Sequence, residues 1–528
     1  FGAAFYDLQR VEVLKGPQGI LYGRNATGGA INIIPVHPEL GKFGGGFNLG
    51  YGNYSAISAD AHVNIPVGES AALRVSGSTL YHDGYNRDGT DDANRNGIRA
   101  QFLYEPSSDF SVRIAGDYTK VAGFGFGGTY LGTYLPGPSG YTFVPTTFDS
   151  SEGFNTAAAN AYRKTALGAP GSGFLQAMNT APKTDASYWG VNAEVNVNTS
   201  IGKLTVIPAY RQSKDRSLFY GPGFNTANTN EDIKQYSLEA RLSGSAGMLD
   251  YVLGGYYFNE KIHANNEYNQ EFVLPIQLYD HKAESAAVFG QLTAHVVDKF
   301  RLIGGARYTH DHKEINGIIN NFITFCGGIP PVTPPASFGV AGLPGGCANP
   351  GALPRYPNFL NTTDTIKWLA ANGWIPGNSV DAANPQVFPI LTGAGLILKT
   401  YNPNQGSGNY SRVTWKGSAE YDLGPKSLVY ASVETGYHAG GFQMAEGRPS
   451  YKPEYITAYS IGSKNRFLDN KVQLNLEGFL WKYRDQQITY FTVDTSGTLI
   501  NSNENAGKAT IKGFDVDLIA KPTSGTTL

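Results

Sequence analysis

The sequence predicts an all-β protein: a transmembrane antiparallel up-and-down barrel, headed by a small unit outside the barrel pattern. Three observations carry this. Apolar and polar side chains alternate strictly along many segments, connections alternate between tight and long, and the composition is poor in charge but rich in glycine and tyrosine. Of 528 residues 16% are charged, against roughly 25% in soluble domains, while glycine contributes 66 and tyrosine 33. Lysine plus arginine (41) nearly balance aspartate plus glutamate (43), so no basic surface points to nucleic acid. No apolar run reaches the ~18 residues that a spanning helix needs, and no signal-peptide pattern heads the chain.

The alternation defines the strands. Ile57, Ala59, Ala61, Val63 and Ile65 oppose Ser58, Asp60, His62 and Asn64. Further along, Phe110, Val112, Ile114 and Tyr118 oppose Ser111, Arg113, Asp117 and Thr119. Trp189–Asn198, Val413–Tyr421 and Phe514–Ala520 split the same way. One apolar and one polar face per strand suits a sandwich or a barrel. The connections decide. Tight turns at Pro66–Ser70, Glu105–Asp109, Thr199–Gly202, Asp422–Lys426 and Phe467–Asn470 alternate with long polar segments at Asp83–Asn96, Val121–Ala186, Arg216–Asp232, Lys261–Lys282, Lys313–Asn409 and His438–Pro453. One rim of turns and one of loops is the outer-membrane pattern of short periplasmic turns and long extracellular loops. A sandwich has no reason to sort loop length by end, and the ~40-residue repeat of a propeller is absent. The polar face then lines a lumen and the apolar face meets lipid, with closure required because hydrocarbon tolerates no unpaired strand edge. About sixteen strands are expected between Phe43 and Ala520, and the turn residues Pro522–Leu528 suggest that further strands follow. Two short helices are expected in the long loops, Thr156–Leu167 before Gly168 and Thr363–Asn372 before Gly373, each with a C′ glycine.

Residues 1–40 stand apart from residues 41–528. Phe5–Arg10 reads as a helical turn, Val11, Val13 and Leu14 as a buried strand, and Gly16–Gly29 as a glycine-rich loop before a strand at Ala30–Ile34. Such a unit is too small to bury its own core. It needs walls, which the lumen of a wide barrel supplies.

Val11–Ile34, VEVLKGPQGILYGRNATGGAINII, resembles the segment that closes the plug domain of TonB-dependent outer-membrane receptors. Weaker matches follow in the family's order: Glu434–Tyr437 with Gly440–Phe442, Tyr459–Lys464, and Asn505–Gly507 with Lys512–Asp515. The resemblance implies a 22-stranded barrel with an N-terminal plug. On that reading this chain lacks most of the plug, the segment that binds TonB, and about six final strands. It implies active import of a scarce ligand, foremost a ferric siderophore, driven through the TonB complex of the inner membrane. Cobalamin, haem and oligosaccharide are alternative cargoes, and a passive porin or an adhesin is the rival from another class. The expected surroundings are outer-membrane lipid, and no cofactor is implied.

The resemblance also implies site residues. Tyr22 stands where some siderophore receptors place an apical tyrosine on the ligand, with Arg24 and Asn25 beside it. A plug-to-barrel latch maps onto His37, Ser460 and Asp515; His37 and Ser460 depart from the family's arginine and glutamate, so the latch here is expected to be weaker or pH-sensitive. The loop aromatics Tyr130, Tyr134, Phe219 and Tyr220 are candidates for a ligand cage, or alternatively for the aromatic girdles that barrels carry at the membrane interfaces. Cys326 and Cys347 lie in one Gly/Pro-rich stretch, where a disulfide in an exported loop is expected. Other signals are set aside. His310 and His312 share a strand face, but a polar loop base holds histidine for many reasons. The Asp83, Asp88, Asp91 and Asp92 loop lacks EF-hand spacing. No nucleophile–base constellation is found, so no enzyme is expected.

Overall fold

The structure, a computed structural model, describes residues 5–137, 140–165, 181–221, 224–270, 273–326, 354, 356–357, 361–376, 384–389, 395–493, 499–523 and 525–526. A two-stranded antiparallel ribbon comes first, β1 (Leu8–Lys15) on β2 (Gly29–Pro35). The wall begins with β3 (Gly44–Gly52), β4 (Ala56–Val67), β5 (Ala71–His82), β6 (Ala93–Ser107) and β7 (Phe110–Gly123). A loop carrying the hairpin β8 (Gly132–Gly137) and β9 (Gly140–Pro145) and helix α1 (Ala157–Thr165) leads back to it. Six long strands follow: β10 (Thr184–Thr199), β11 (Gly202–Gly221), β12 (Phe224–Ala246), β13 (Leu249–Asn269), β14 (Val273–Val297) and β15 (Phe300–Cys326). After α2 (Thr362–Ala371), β16 (Gln386–Pro389) and β17 (Gly395–Lys399), the wall resumes with β18 (Asn402–Gly424) and β19 (Ser427–His438). The short pair β20 (Gly441–Phe442) and β21 (Ser450–Tyr451) precedes β22 (Glu454–Phe467) and β23 (Val472–Arg484). The hairpin β24 (Gln487–Val493) and β25 (Leu499–Asn505) precedes β26 (Lys508–Ala520).

Leaving aside β16 and β17, which extend the wall at a loop base, sixteen long strands form the barrel, in an order that closes with β26 beside β3. β7 pairs with β10, β15 with β18, β19 with β22 and β23 with β26, all antiparallel. The seam differs from the other joins. Among the described residues no run of paired positions links β26 to β3, and Phe47, Tyr51 and Phe514 on these two strands are 80–84% exposed.

The usual burial rule is inverted, as a lipid solvent requires. Val191, Leu253, Val288, Val413, Ile461 and Val516 lie exposed on the outer face. Arg74, Gln101, Thr205, Ser285 and Thr414, at the intervening parity, are buried toward the lumen. The alternation in the sequence is therefore a lipid face and a lumen face.

Several expectations need correction. Most of the long segments Arg216–Asp232 and Lys261–Lys282, and both ends of Lys313–Asn409, are strand, since β11 through β15 and β18 run on toward the long-loop rim. Above the lipid both faces can be polar, so alternation vanishes while the ladder continues. Phe5–Arg10 is not a helical turn: Leu8 and Arg10 already pair with Pro35 and Ile34, a tertiary pairing that overrides local preference. Val11 and Val13 are not buried but 48% and 66% exposed, because among the described residues β1 pairs with β2 alone. The helix expected at Thr363–Asn372 is α2, one residue earlier, with Asn361 as its N-cap and Gly373 at φ +71° after it. The helix expected at Thr156–Leu167 spans Ala157–Thr165, and Leu167 and Gly168 lie outside the described residues. So does the Cys326–Cys347 pairing: Cys347 and the side chain of Cys326 are not among them.

Candidate functional site

The loop between β1 and β2 turns back on itself against the lumen face of β15, β18 and β19. The Gln18 N–H donates to the Ala26 carbonyl (2.9 Å), and the Tyr22 and Gly23 N–H groups converge on the Gln18 carbonyl (3.2 Å each). Gly16 and Gly23 hold φ of +77° and +83°, a region that costs any other L-residue about 1 kcal/mol or more. Gly19 meets a tighter demand, since a Cβ there would stand 2.5 Å from the Thr435 carbonyl oxygen. Removing that carbon lets the Thr414 hydroxyl donate to the Gly19 carbonyl (2.8 Å) and Arg307 to the Ile20 carbonyl (3.3 Å). The buried Ile20 side chain sits over Gly305, where a Cβ would come within 2.8 Å of its Cδ1.

Arg24 completes the seating. Its guanidinium lies 3.0 Å from the fully buried Asp311 carboxylate and 5.3 Å from the Phe258 ring centroid. The Tyr437 hydroxyl donates to the other oxygen of Asp311. Asn25, at φ +63°, donates its N–H to the Tyr437 carbonyl (3.0 Å) and accepts from the Ala439 N–H (3.4 Å). Arg24 and Asn25 thus fasten the apex to β15 and β19, while Tyr22 between them and Gly19 is 45% exposed.

A second set of contacts holds the base of the unit to β5 and β6. Arg74 donates to Asp7 (2.8 Å), with both groups nearly fully buried. Arg99 lies 5.0 Å over the Tyr6 ring and donates to the Tyr6 carbonyl (3.2 Å). Gln101 donates to the Val36 carbonyl (2.6 Å) and accepts from Arg113 (3.2 Å), which in turn pairs with Glu194 at 3.0 Å. His37 follows Val36 into this network. Burial pushes its imidazole below the ordinary range, and Arg113 and Arg10 push the same way against Glu194.

The latch suggested by the resemblance is drawn differently. Ser460 and Asp515 do face the lumen, flanked by outward Tyr459, Ile461, Phe514 and Val516. His37 is with Arg113 and Glu194 rather than with them. Ser460 donates to Glu477 (3.2 Å), and Lys15 of β1 reaches Asp515 (3.3 Å) and Asp517 (3.5 Å). A cavity of about 480 Å³ separates Val13–Gln18 from β18, β19, β22 and β23, and Ser460, Asp515 and Lys15 line it.

The loop aromatics divide. Tyr130 is buried, accepts from the fully buried Arg163 (3.0 Å) and packs edge-on to Phe154 (4.8 Å). Tyr220 is buried and accepts from Asn155 (3.0 Å). Phe219 is half-buried at the end of β11. Tyr134 is 67% exposed beside Phe143. Tyr130 and Tyr220 therefore belong to a loop core, and the second long loop has its own, where Ile366 and Leu369 of α2 pack with Leu274, Phe322 and Ile397. The acidic loop is knitted into its neighbours: Asp92 accepts from the Phe124 and Gly125 N–H groups, and Asp88 from the Asn155 N–H. His310 and His312 face outward, toward Ser411 and toward Asn409 and Glu314. No group of three or more His, Cys, Asp or Glu among the described residues is placed to hold a metal ion.

Sequence reading missed Lys15, Arg307, Asp311, Thr414 and Tyr437. One signal was present: the parity that turns His310 and His312 outward turns Asp311 inward, where a carboxylate in a wide lumen needs a partner.

Residues 140–526 match the family described as TonB dependent receptor-like, beta-barrel. The chain is 26% identical to the pesticin receptor of Yersinia enterocolitica over 324 residues, 59% of this chain and 42% of that one. Its fold is similar to the ferric yersiniabactin uptake receptor FyuA from Yersinia pestis (TM-score 0.68, 18% identity, 98% of this chain and 65% of that chain). It is also similar to the ferripyoverdine receptor of the outer membrane of Pseudomonas aeruginosa (TM-score 0.62, 14% identity, 98% and 59%). The chain thus spans less than half of that curated relative and under two thirds of these two solved receptors.

Proposed function

The chain belongs to the TonB-dependent receptor family, whose barrels lie in the outer membrane, and on that premise we propose that it serves TonB-dependent import of a ferric siderophore. The observation that carries this reading is the seating of the Gly16–Gly29 loop against the lumen wall, with Tyr22 left open at its apex. A lumen this wide leaks unless a plug fills it, and a filled lumen passes a solute only when the plug is remodelled. The outer membrane holds no nucleotide energy source, and the work then comes from the inner membrane through TonB. Cargo of this class is supported by the relatives, among them proteins named for ferric yersiniabactin uptake and for ferripyoverdine.

The contacts of the unit suggest how remodelling proceeds. Lys15 with Asp515 and Asp517 is an exposed pair, and such pairs contribute about 0–1 kcal/mol. Arg24–Asp311 and Asp7–Arg74 are buried, and separating such partners is far more costly. The side next to the 480 Å³ cavity therefore yields first. The test is uptake of labelled ferric siderophores by cells carrying the complete gene, with and without TonB. Uptake that persists without TonB would sink the proposal and favour a passive porin.

A further inference from the structure

We infer that the outer wall above the apolar band binds phosphate-bearing headgroups of the membrane's outer leaflet, through Lys234, Lys261 and Lys282. On the outward face, Leu253, Val288, Tyr308 and Val413 mark the lipid-facing band, with Tyr236, Leu238 and Tyr257 toward its upper edge. Lys234 lies on the same face of β12, two outward positions beyond Leu238 toward the long-loop rim, roughly 13 Å along the strand and less in height once tilt is counted. That is headgroup depth, and the long-loop rim makes it the outer leaflet.

The register is what makes this row unusual. Lys234 stands directly opposite Lys261, and Lys261 directly opposite Lys282. Directly opposed side chains have Cβ atoms about 5 Å apart, and like charges there repel. The positions one step higher are compensated: His263 faces Asp280 at 2.8 Å. Lys282 stands opposite Glu314 and pairs with Glu284 (2.9 Å), whereas among the described residues no carboxylate lies within ion-pair distance of Lys234 or Lys261. A shallow groove of about 630 Å³ runs across the three lysines and takes in Lys214 as well as Asp232, Asp280 and Glu314. Lys234 and Lys261, opposed across strands beside Lys282 and continuous with a lipid-facing surface, are satisfied by anionic phosphates supplied by the adjoining lipid. Juxtamembrane lysines are attracted to an anionic headgroup surface.

The test compares the unaltered receptor with the Lys234→Gln, Lys261→Gln, Lys282→Gln triple variant in nanodiscs. The discs hold phosphatidylcholine alone, phosphatidylcholine with a diphosphorylated glycolipid (lipid A), or phosphatidylcholine with inorganic phosphate in solution. Lipid A should raise the thermal midpoint of the unaltered receptor, and the rise should shrink as salt screens it. The triple variant should lose that rise, and Lys261→Gln alone should lose part of it, which keeps the test available if the triple variant assembles poorly. Retention of the full rise in the variants, or an equal rise with free phosphate, overturns the inference.

Discussion

Gly19 sits where the apex backbone comes closest to the wall, with the Thr435 carbonyl occupying the space a side chain would need. The Gly19→Ala substitution should therefore lift the apex off β18 and β19, at a cost of about 1–3 kcal/mol. Urea unfolding together with protease cleavage in the β1–β2 loop measures it, and an unchanged cleavage rate would contradict the seating. Arg24→Ala should cost more, about 3–5 kcal/mol, because it leaves the Asp311 carboxylate buried without its cation. Arg24→Ala with Asp311→Asn should recover part of the loss, since the orphaned charge is then gone. These single contacts were only partly legible beforehand. The sequence shows Gly19 and Arg24 in a glycine-rich loop, but Thr435 and Asp311 lie hundreds of residues away, and no local pattern names them.

The segment joining β2 to β3 carries the clearest pH response. His37 is held below its ordinary value by burial and by Arg113 and Arg10, so the docked segment resists the proton that an undocked one accepts at about pH 6.5. Above that pH both forms are neutral and docking is at full strength. As pH falls below it, docking weakens until the depressed value is passed. Hydrogen exchange of the Val36 and Glu39 amides, which donate to the Asp7 carbonyl and to Asn64, should thus accelerate relative to intrinsic rates on acidification, and His37→Gln should flatten the response. A flat response in the unaltered protein would remove His37 from the network with Arg113. Strands and turns inside the lipid were readable at this scale, because alternation of Trp189–Asn198 or Val413–Tyr421 reflects two solvents on two faces. The strand extensions beyond Arg216, Lys261 and Lys313 were not, because both faces meet water there and the period of two carries no contrast.

For the molecule as a whole, the lipid-facing band sets the penalties. Val288→Arg, in mid-band, should destabilise insertion by about 2–4 kcal/mol, while His310→Arg, nearer the upper edge, should cost about 0–1 kcal/mol. Refolding titrations into phosphatidylcholine vesicles compare the two, and equal costs would misplace the band. The sequence by itself determined the class of the fold, the lipid and lumen faces, and the sorting of short and long connections. Each of these is written in local periods that a chain repeats every two residues or every hairpin. Only the tertiary structure decided that Lys15 rather than His37 reaches Asp515, that Arg24 is a fastening, and that Tyr130 and Tyr220 turn into a loop core. Those outcomes depend on which inward positions face one another across the lumen, and that is fixed by strand register and barrel closure rather than by any stretch of chain alone.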